Sequence, residues 1–535
     1  MDFRKKLPVG IQDFEKLKEE GCVLIDSTEL MMRLVRDGNA YMLCRPRYFG
    51  KSLLVSQLAS YFRGRRDLFE GLAAEGIEKE WIEYSVITLD FSSGVYSSEG
   101  KLSSAVDYML RGLEQTYRIS DAASSFSDRF SGIIRAAYQK SGRPVVVLVD
   151  DFDKPILDAV FTPQETENRE ILRELYGALS GNDFYLKFVF FAGISKFSSV
   201  NIFNGTLQLK DISENPVYGT LCGFTAADVQ SIIAEAEIPE SSDPDQSLDA
   251  EKIFDVVDRW YGGYRFSAGG EVVYNPYSVM CCLDFNSPSA FLSGEIRHQF
   301  WIQTGQPTML VRMLLKNKWD LFNMLYGLKV DREELMEYQW TENDMLSLVY
   351  QAGYLTCGEG EGRLVQLSMP NAEVVEGMLK AMLCRFTSIG GISRSGTELE
   401  SMRSFLASRN VGGFISKFEQ AIQSLPLIKE DRVECEYVFK MAFHVIANLI
   451  GTGVTSDSNS DVMLRVKDGE GKSTGYIFEL KADKGVALAE VAADAFLSIE
   501  SRGYEEVFTK DEIECRKVCI VFSSDGSGIA GWMSK

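Results

Sequence analysis

The chain has 535 residues, more than a single hydrophobic core usually supports, so several domains are expected. Apolar residues make up 45% and charged residues 25%, which is typical of globular proteins and excludes a largely disordered chain. The formal net charge of −21 argues against a protein that coats nucleic acid or anionic membranes non-specifically.

The cysteine and histidine content limits the kinds of metal site. Ten cysteines are scattered without CxxC spacing, which favours reduced thiols in a cytoplasmic protein. His298 and His444 are the two histidines, too few for a histidine-based metal centre or catalytic triad. The N-terminal segment lacks the apolar stretch of a signal sequence, and no apolar run reaches the roughly 18 residues that cross a bilayer. We therefore expect a cytoplasmic protein without a membrane partner.

Residues 1–236 alternate β-rich apolar runs with amphipathic helical patterns. The runs are YMLC (41–44), YSVITLDFS (84–92), VVVLVDDF (145–152) and LKFVFFAGI (186–194). Strands that alternate with helices predict a parallel α/β sheet with helices on both faces.

A phosphate-binding loop is predicted directly after the first run. CRPRYFGKSLL (44–54) follows a strand and precedes an amphipathic helix, the context that a P-loop requires. Lys51 would reach the β- and γ-phosphates, and the Ser52 hydroxyl would bind Mg²⁺. A chance Gly-Lys-Ser is the alternative, because a P-loop usually has glycine where Arg45 stands. The residues expected to bind ATP are Arg47, Phe49, Gly50, Lys51, Ser52 and Leu53.

Two later strands end in polar residues. VVVLVDDFD (145–153) ends in carboxylates, so Asp150 would hold Mg²⁺ and Asp151 would orient or deprotonate the attacking water. Ser195 follows the next strand, at the place of a γ-phosphate sensor. A core strand with a polar exit explains Ser195 equally well.

The remainder of the chain divides at two polar segments, 237–252 and the Gly/Ser-rich SIGGISRSG (388–396). Residues 237–252 are predicted to form a linker or long surface loop, and helical periodicity dominates from 253 to about 425. The C-terminal part then predicts a helix, a hairpin, a helix and a strand. Pairing within the hairpin brings Asp461 opposite Glu479 and Lys481, and alternation puts the last two on one face. Two carboxylates beside an ammonium predict a Mg²⁺ site for phosphodiester hydrolysis; an exposed hairpin with ordinary charges is the alternative.

Several motifs, taken in order, resemble the bacterial AAA-ATPase-like family, whose members commonly carry a C-terminal PD-(D/E)xK nuclease-like domain. They are LPVGIQDFEKL (7–17), RPRYFGKSLL (45–54), LVDDFDKPILDA (148–159), AGISKFSSVNIF (192–203), YGTLCGFT (218–225), WYGGYRF (260–266), VYNPYSV (273–279), FWIQTGQPTMLV (300–311) and YQAGYLT (350–356). The family's own loop reads RPRxFGKS, so Arg45 is not a departure from it.

The resemblance implies three domains. They are a P-loop NTPase domain with a parallel sheet (1–236), a helical or winged-helix middle region (253–425) and a restriction-endonuclease-like α/β domain (426–535). Asp461, Glu479 and Lys481 match the D…ExK core of such nucleases, and Glu436 falls where the preceding helix often supplies a further metal ligand.

Three departures from the family pattern bear on activity. Asp151 stands where the family usually has glutamate, so a catalytic base would be about one methylene shorter. SNSD (458–461) replaces a Gly-Arg-Ile-Asp pattern, and a glutamine expected near Ser498 is absent.

We therefore expect an ATP-binding, ATP-hydrolysing protein coupled to a Mg²⁺-dependent nuclease-like domain that acts on nucleic acid, with DNA favoured. The alternative is a nucleotide-dependent switch or interaction protein whose nuclease-like domain binds without cleaving. AAA-type relatives often form rings, so a homo-oligomer is compatible with either hypothesis.

Overall fold

The computed structural model describes residues 6–120, 124–160, 162–196, 203, 208–235, 250–286, 290–291, 299–301, 327–332, 335, 346–361, 363–387, 392–422, 435–458, 461–523 and 528–535. These residues form two compact units. Unit 1 contains the described residues up to Trp301 and those of 328–373, and unit 2 contains Gly327 and the described residues from Val374 to Lys535. The domain boundaries expected at 236 and 425 stay predictions.

Unit 1 is built around a five-stranded sheet in the order β2-β3-β4-β1-β5, in which every neighbouring pair is parallel. The strands are β1 (Ala40–Cys44), β2 (Val86–Asp90), β3 (Val145–Asp150), β4 (Leu186–Gly193) and β5 (Lys210–Asp211). The sequence VVVLVD of β3 is entirely buried, as expected for a central strand covered on both faces. The predicted parallel α/β sheet is confirmed.

The C-terminal ends of the strands lie at one level. Cys44 of β1 pairs with Gly193 of β4, and Asp150 of β3 pairs with Ala192 of β4 and Asp90 of β2. The loop after β1 and the acid at the end of β3 therefore meet at the same edge, where α/β sheets bind their ligands.

Helices cover both faces of this sheet, because alternate residues of each strand face opposite sides. Met42, Val147 and Val189 belong to one core, and Leu43, Val146 and Phe190 belong to the other. The helices are α1 (Phe14–Glu19), α2 (Thr28–Asp37), α3 (Lys51–Phe62), α4 (Ala73–Ile77), α5 (Lys101–Tyr117), α6 (Phe126–Ser141), α7 (Lys154–Leu157) and α8 (Gln164–Ser180). Residues of α5, α6 and α8 fill the first core, and those of α2 and α3 fill the second.

The later part of unit 1 adds helices and a small antiparallel sheet. The helices are α9 (Ala226–Glu235), α10 (Ala250–Tyr261), α11 (Pro276–Phe285) and α12 (Leu346–Gln351). The sheet has the order β6-β8-β7, with β6 (Leu328–Asp331), β7 (Thr356–Glu361) and β8 (Leu364–Ser368). These strands differ from the helical pattern predicted for 253–425. The sequence of β7, TCGEGE, has no apolar alternation that would indicate a strand.

Unit 2 is an α/β unit with a mixed five-stranded sheet in the order β13-β12-β11-β10-β9. Its strands are β9 (Thr452–Ser458), β10 (Asp461–Lys467), β11 (Ser473–Ala482), β12 (Glu514–Phe522) and β13 (Ile529–Ser534). Its helices are α13 (Ala372–Phe386), whose first two residues belong to unit 1, and α14 (Ile392–Ala407), α15 (Val411–Ile422), α16 (Cys435–Ile450), α17 (Leu488–Ser501) and α18 (Glu506–Thr509). The expected helix, hairpin, helix and strand are present. The edge strands β9 and β13 were not predicted. Edge strands are often short, polar or glycine-containing, so they lack the apolar pattern by which a strand is recognised in a sequence.

Two general features agree with the composition. No helix within the described residues is long and apolar enough to cross a membrane. Cys44 of unit 1 and Cys519 of unit 2, for example, are free thiols.

Candidate functional site

The predicted phosphate loop connects β1 to α3 at the C-terminal edge of the parallel sheet. Gly50 caps the helix with a φ of 81°, and Tyr48 has a φ of 66°. Both values lie in the left-handed region, which glycine adopts without steric cost and other residues adopt rarely. The loop therefore makes a tight turn that directs the N-terminus of α3 toward the cleft.

Lys51 is the first residue of α3, and its side chain is almost completely buried. Its ammonium group donates hydrogen bonds to the carbonyl oxygens of Arg45 at 3.1 Å and Pro46 at 3.0 Å. The lysine thus binds the beginning of its own loop. An ammonium group has three donors and can exchange these carbonyl groups for phosphate oxygens.

Arg45 points away from the cleft into the interior of unit 1. Its guanidinium donates to the carbonyl oxygens of Ser213 at 2.6 Å, Tyr218 at 2.9 Å and Cys44 at 3.0 Å. It also lies over the Phe266 ring, 4.0 Å from the centroid. The residue that stands in place of the usual glycine is therefore a structural anchor between the loop and the segment after β5.

Asp150 and Ser52 meet at the edge of the sheet. The Ser52 hydroxyl lies beside the Asp150 carboxylate, which is 6% exposed. Burial raises the pKa of Asp150 to about 6; the adjacent Asp151 carboxylate adds to this rise, and Ser52 opposes it. Two neighbouring oxygen ligands fit the preference of Mg²⁺ for oxygen, as the sequence predicts for this pair.

Asp151 follows in a strained conformation at the surface of the cleft. Its φ is 50°, and its backbone N–H donates to Asp150 Oδ1 at 3.0 Å. The turn separates the two acids, so Asp150 lies inside and Asp151 lines the open cleft. This placement is compatible with the predicted use of Asp151 as a water-activating base, which stays a prediction.

Ser195 makes a different contact from the one that a phosphate sensor would make. It is fully buried, and its hydroxyl donates to Gln351 Oε1 at 3.0 Å. The backbone N–H of Lys196 donates to the same oxygen at 2.8 Å. To bind a γ-phosphate, the Ser195 hydroxyl would have to leave Gln351, so its predicted role stays a prediction.

Asp153 is a buried acid that the sequence did not single out. Its carboxylate accepts hydrogen bonds from the backbone N–H groups of Ile194 at 3.0 Å and Ser195 at 2.6 Å, and so ties the end of β3 to the end of β4. Burial raises the pKa of Asp153 to about 7, and the charge of Asp151 contributes to this rise. Asp153 is visible in the sequence as the last residue of DDFD (150–153), but its partners on β4 become apparent only from the order of the strands in the sheet.

Lys51, Ser52 and Asp151 line a cleft of about 370 Å³ in unit 1. All six predicted loop residues line it: Arg47, Phe49, Gly50, Lys51, Ser52 and Leu53. Apolar side chains from other segments, among them Val9, Phe224 and Met280, line the same cleft. The cleft therefore combines a polar loop with an apolar wall, as small-molecule sites commonly do.

The carboxylates predicted for the C-terminal part are brought together in unit 2. Asp461 pairs directly with Glu479 across the β10–β11 hairpin, which confirms the predicted register. Lys481 Nζ lies 2.6 Å from Glu479 Oε1, and both carboxylates are 1% exposed. Burial raises the pKa of Glu479; the hydrogen bond from Lys481 opposes this rise and the Asp461 charge adds to it.

The carboxylate oxygens of Asp461 and Glu479 indicate whether this pair could hold a divalent cation. Glu479 Oε2 is buried without a hydrogen-bond partner among the described residues, so an oxygen is available for a cation. Across the described residues of the chain, no group of three or more acidic, cysteine or histidine side chains forms a candidate metal site. Glu436 lies in α16, but its side chain is outside the described set.

Two further residues, missed at the sequence level, complete this cluster. Arg502 Nη1 donates to Asp461 Oδ2, and the Tyr504 hydroxyl donates to the same oxygen at 3.1 Å. Both residues follow α17, about forty positions after Asp461. No local pattern signals a contact over such a distance.

We expect Arg45→Ala to lower the free energy of unfolding by about 2–4 kcal/mol, since several buried carbonyl groups lose a charged donor. Chemical unfolding monitored by tryptophan fluorescence would measure this loss. Arg47→Ala is the matched control, because Arg47 is exposed and its removal should change stability by about 0.5 kcal/mol or less. Equal, small effects of both substitutions would contradict the anchoring role.

Asp153 should make stability depend on pH. Burial raises the pKa of Asp153 to about 7 in the folded state, above the 3.8 of an exposed aspartate, so the folded state holds an extra proton between these limits. Stability from this group is therefore lost as the pH rises through that window. Asp153→Asn lacks this cost, so its stability relative to the wild type should improve between about pH 5 and about pH 8.

Urea unfolding at the two pH values measures this difference. Asp67→Asn is the control: Arg65 lowers the pKa of Asp67, so that acid is ionised at both values and the difference should not vary. A pH-independent difference for Asp153→Asn would show that the buried carboxyl does not titrate in this window.

Comparison with known proteins relates the N-terminal part of the chain, with its phosphate loop, to a family. The family described as predicted AAA-ATPase (AAA-ATPase_like) matches residues 8–203, which include the loop, Asp150 and Ser195. The Aeropyrum pernix ORC2 protein (ADPNP-ADP complexes) covers 67% of this chain and 93% of its own at 10% identity, with a TM-score of 0.35, which is too low to define the fold.

A protein described as uncharacterized, from the vnfD 5′ region of Azotobacter chroococcum mcd 1, is 34% identical over 546 residues. The match covers 99% of each chain. Since the two proteins are similar over almost their whole lengths, this chain belongs to the same family as the Azotobacter protein, and its N-terminal part is an AAA-ATPase-like domain.

Proposed function

We propose that unit 1 binds and hydrolyses ATP with Mg²⁺. The observation that carries this proposal is the placement of Lys51 and Ser52 at the wall of one cleft, with the buried Asp150 carboxylate directly behind Ser52. A hydroxyl, a carboxylate and an ammonium group in this arrangement suit a Mg²⁺-bound phosphate chain. The family described as predicted AAA-ATPase supports the choice of nucleotide.

The phosphates would lie against the N-terminus of α3. This helix has 12 residues, long enough for a full helix dipole. The positive end of the dipole and the free N–H groups of the first turn both favour an anion at the N-terminus. Lys51 would exchange the carbonyl oxygens of Arg45 and Pro46 for phosphate oxygens. The side chain would thereby supply positive charge to the phosphates.

Mg²⁺ would be held by Ser52 and Asp150 and would neutralise charge on the β- and γ-phosphates. Asp151, at the surface of the same cleft, would orient or deprotonate the attacking water. Its side chain is one methylene shorter than the glutamate that is usual in the family, and ångström-scale misplacement of a base costs about 10²-fold in rate. We therefore expect slow hydrolysis.

The apolar wall of the cleft would receive the nucleobase and sugar. Val9, Phe224 and Met280 line it, and the Tyr277 ring stacks on Tyr48 at a centroid distance of 4.5 Å. Apolar and aromatic surfaces of this kind bind the flat face of a purine. The cleft thus has a suitable surface for each part of ATP.

Lys51→Ala should weaken ATP binding by about 30-fold or more, since it removes a buried cation from the phosphates. Equilibrium binding of a fluorescent ATP analogue with Mg²⁺ measures this loss. Lys140→Ala, which removes an exposed lysine at the end of α6, should bind like the wild type. Unchanged affinity in the Lys51 variant would disprove the phosphate-loop assignment.

We further propose that unit 2 hydrolyses phosphodiester bonds in nucleic acid, with DNA as the favoured substrate. Asp461 and Glu479 would hold a divalent cation, which polarises the phosphoryl group when bound. Lys481, 32% exposed and in contact with Glu479, would stabilise the attacking water or the charge that develops on phosphate. The buried Glu479 Oε2 supports this proposal, because its unused acceptor needs a cation or donor.

A non-cleaving unit 2 is the second candidate function. Both carboxylates already contact cationic side chains, Lys481 and Arg502, so the cluster is close to electrically neutral. This balance favours a protein in which ATP controls binding by unit 2 without chemistry there. The two candidates differ in one measurable outcome, the cleavage of nucleic acid.

Cleavage of plasmid and single-stranded DNA with Mg²⁺ or Mn²⁺ decides between them, with ATP present or absent. Lys481→Ala should reduce cleavage by about 10²-fold or more, as expected when a group that stabilises the transition state is lost. Lys472→Ala, in the turn of the same hairpin, should retain activity. Equal degradation by the wild type and Lys481→Ala would indicate a contaminating nuclease and favour the non-cleaving candidate.

A further inference from the structure

The contact between Arg502 and Asp461 places a guanidinium group on a carboxylate that the proposed metal site needs. Asp461 is 1% exposed, whereas the Arg502 side chain is 46% exposed. The carboxylate is therefore fixed in the interior, and its cationic partner reaches it from the surface. Such a partner can leave without opening the core.

The turn after α17 positions this guanidinium. Arg502 is the C-cap of the helix and is followed by Gly503, which has a φ of 68°. The left-handed glycine reverses the chain, so that Tyr504 returns to the same carboxylate. Arg502 Nη1 donates to the Tyr504 hydroxyl at 3.0 Å, and that hydroxyl donates to Asp461 Oδ2 at 3.1 Å. Phenol and guanidinium form one hydrogen-bonded cap on Asp461.

A divalent cation bound between Asp461 and Glu479 would bind the same carboxylate. Arginine is permanently charged, and two positive charges beside one carboxylate repel each other. Binding of the cation therefore weakens the Arg502 contact, and the Arg502 contact weakens binding of the cation. The exposed position of Arg502 allows the exchange, and Lys481 remains on Glu479.

We propose that Arg502 is an internal counter-ion that competes with the divalent cation for Asp461 and so sets the cation concentration at which unit 2 becomes active. This inference rests on the metal site proposed for unit 2. Among the predicted nuclease residues, Arg502 donates a hydrogen bond to Asp461. The proposal gives this contact a function. Removal of the guanidinium should strengthen cation binding, which is the opposite of what damage to the site would do.

Titration of the full-length protein with Mn²⁺, followed by electron paramagnetic resonance of free Mn²⁺ without nucleotide, tests the proposal. The part of the binding that disappears in Asp461→Asn defines the unit 2 site. Arg502→Gln should bind Mn²⁺ about fivefold more tightly at that site, since a partly exposed ion pair is lost. Arg502→Lys, which keeps the charge, should lie between Arg502→Gln and the wild type.

Arg516→Gln is the matched control, because it removes an equal charge from unit 2 at a side chain that pairs with Glu514. Its Mn²⁺ affinity should equal that of the wild type. If the Asp461-dependent site is present but Arg502→Gln binds no more tightly, the counter-ion proposal is overturned and the metal site stands. If neither protein shows Asp461-dependent binding, the metal site itself is wrong.

Discussion

The conformation of the loop after β1 depends on two positively charged side chains, Arg45 and Lys51, that are buried in the fold. Arg45 donates to carbonyl groups of the segment after β5, and Lys51 donates back to the carbonyls of Arg45 and Pro46. Buried charges are stable only when their donors are satisfied, so these hydrogen bonds fix the loop backbone. The cleft, the direction of α3 and the contact between Ser52 and Asp150 all follow from a loop held in this way.

The features that could be predicted from the sequence are those with a local signal. Continuous apolar runs indicated the buried parallel strands, and Gly-Lys-Ser between a strand and a helix located the loop. The pairing of Asp461 with Glu479 was predictable because a hairpin with a short turn has a fixed register. In each case the deciding information lies within about twenty residues.

The remaining features depend on contacts between distant segments. Arg45 reads as an irregular loop residue until the carbonyls of Ser213 and Tyr218 are known. Asp153 is one of several acids in its segment, and its partners become known only when β4 is placed beside β3. Arg502 follows α17, and only the packing of that helix in the fold brings Arg502 to Asp461. Side chains that satisfy buried polar groups leave no periodic pattern, so composition and spacing could not identify them.

The packing around Phe49 has a consequence for the autonomy of the ATPase-like domain. Phe49 is completely buried, with its ring against Tyr264 and Phe266, and Gly353 lies so close to Pro46 that a Cβ there would approach it to 2.6 Å. The family match ends at residue 203, before any of these partners. A fragment that ends at residue 203 would lack Tyr264 and Phe266 and would expose the apolar ring of Phe49 to solvent. The smallest self-sufficient folding module therefore extends well beyond the segment that the family match delimits.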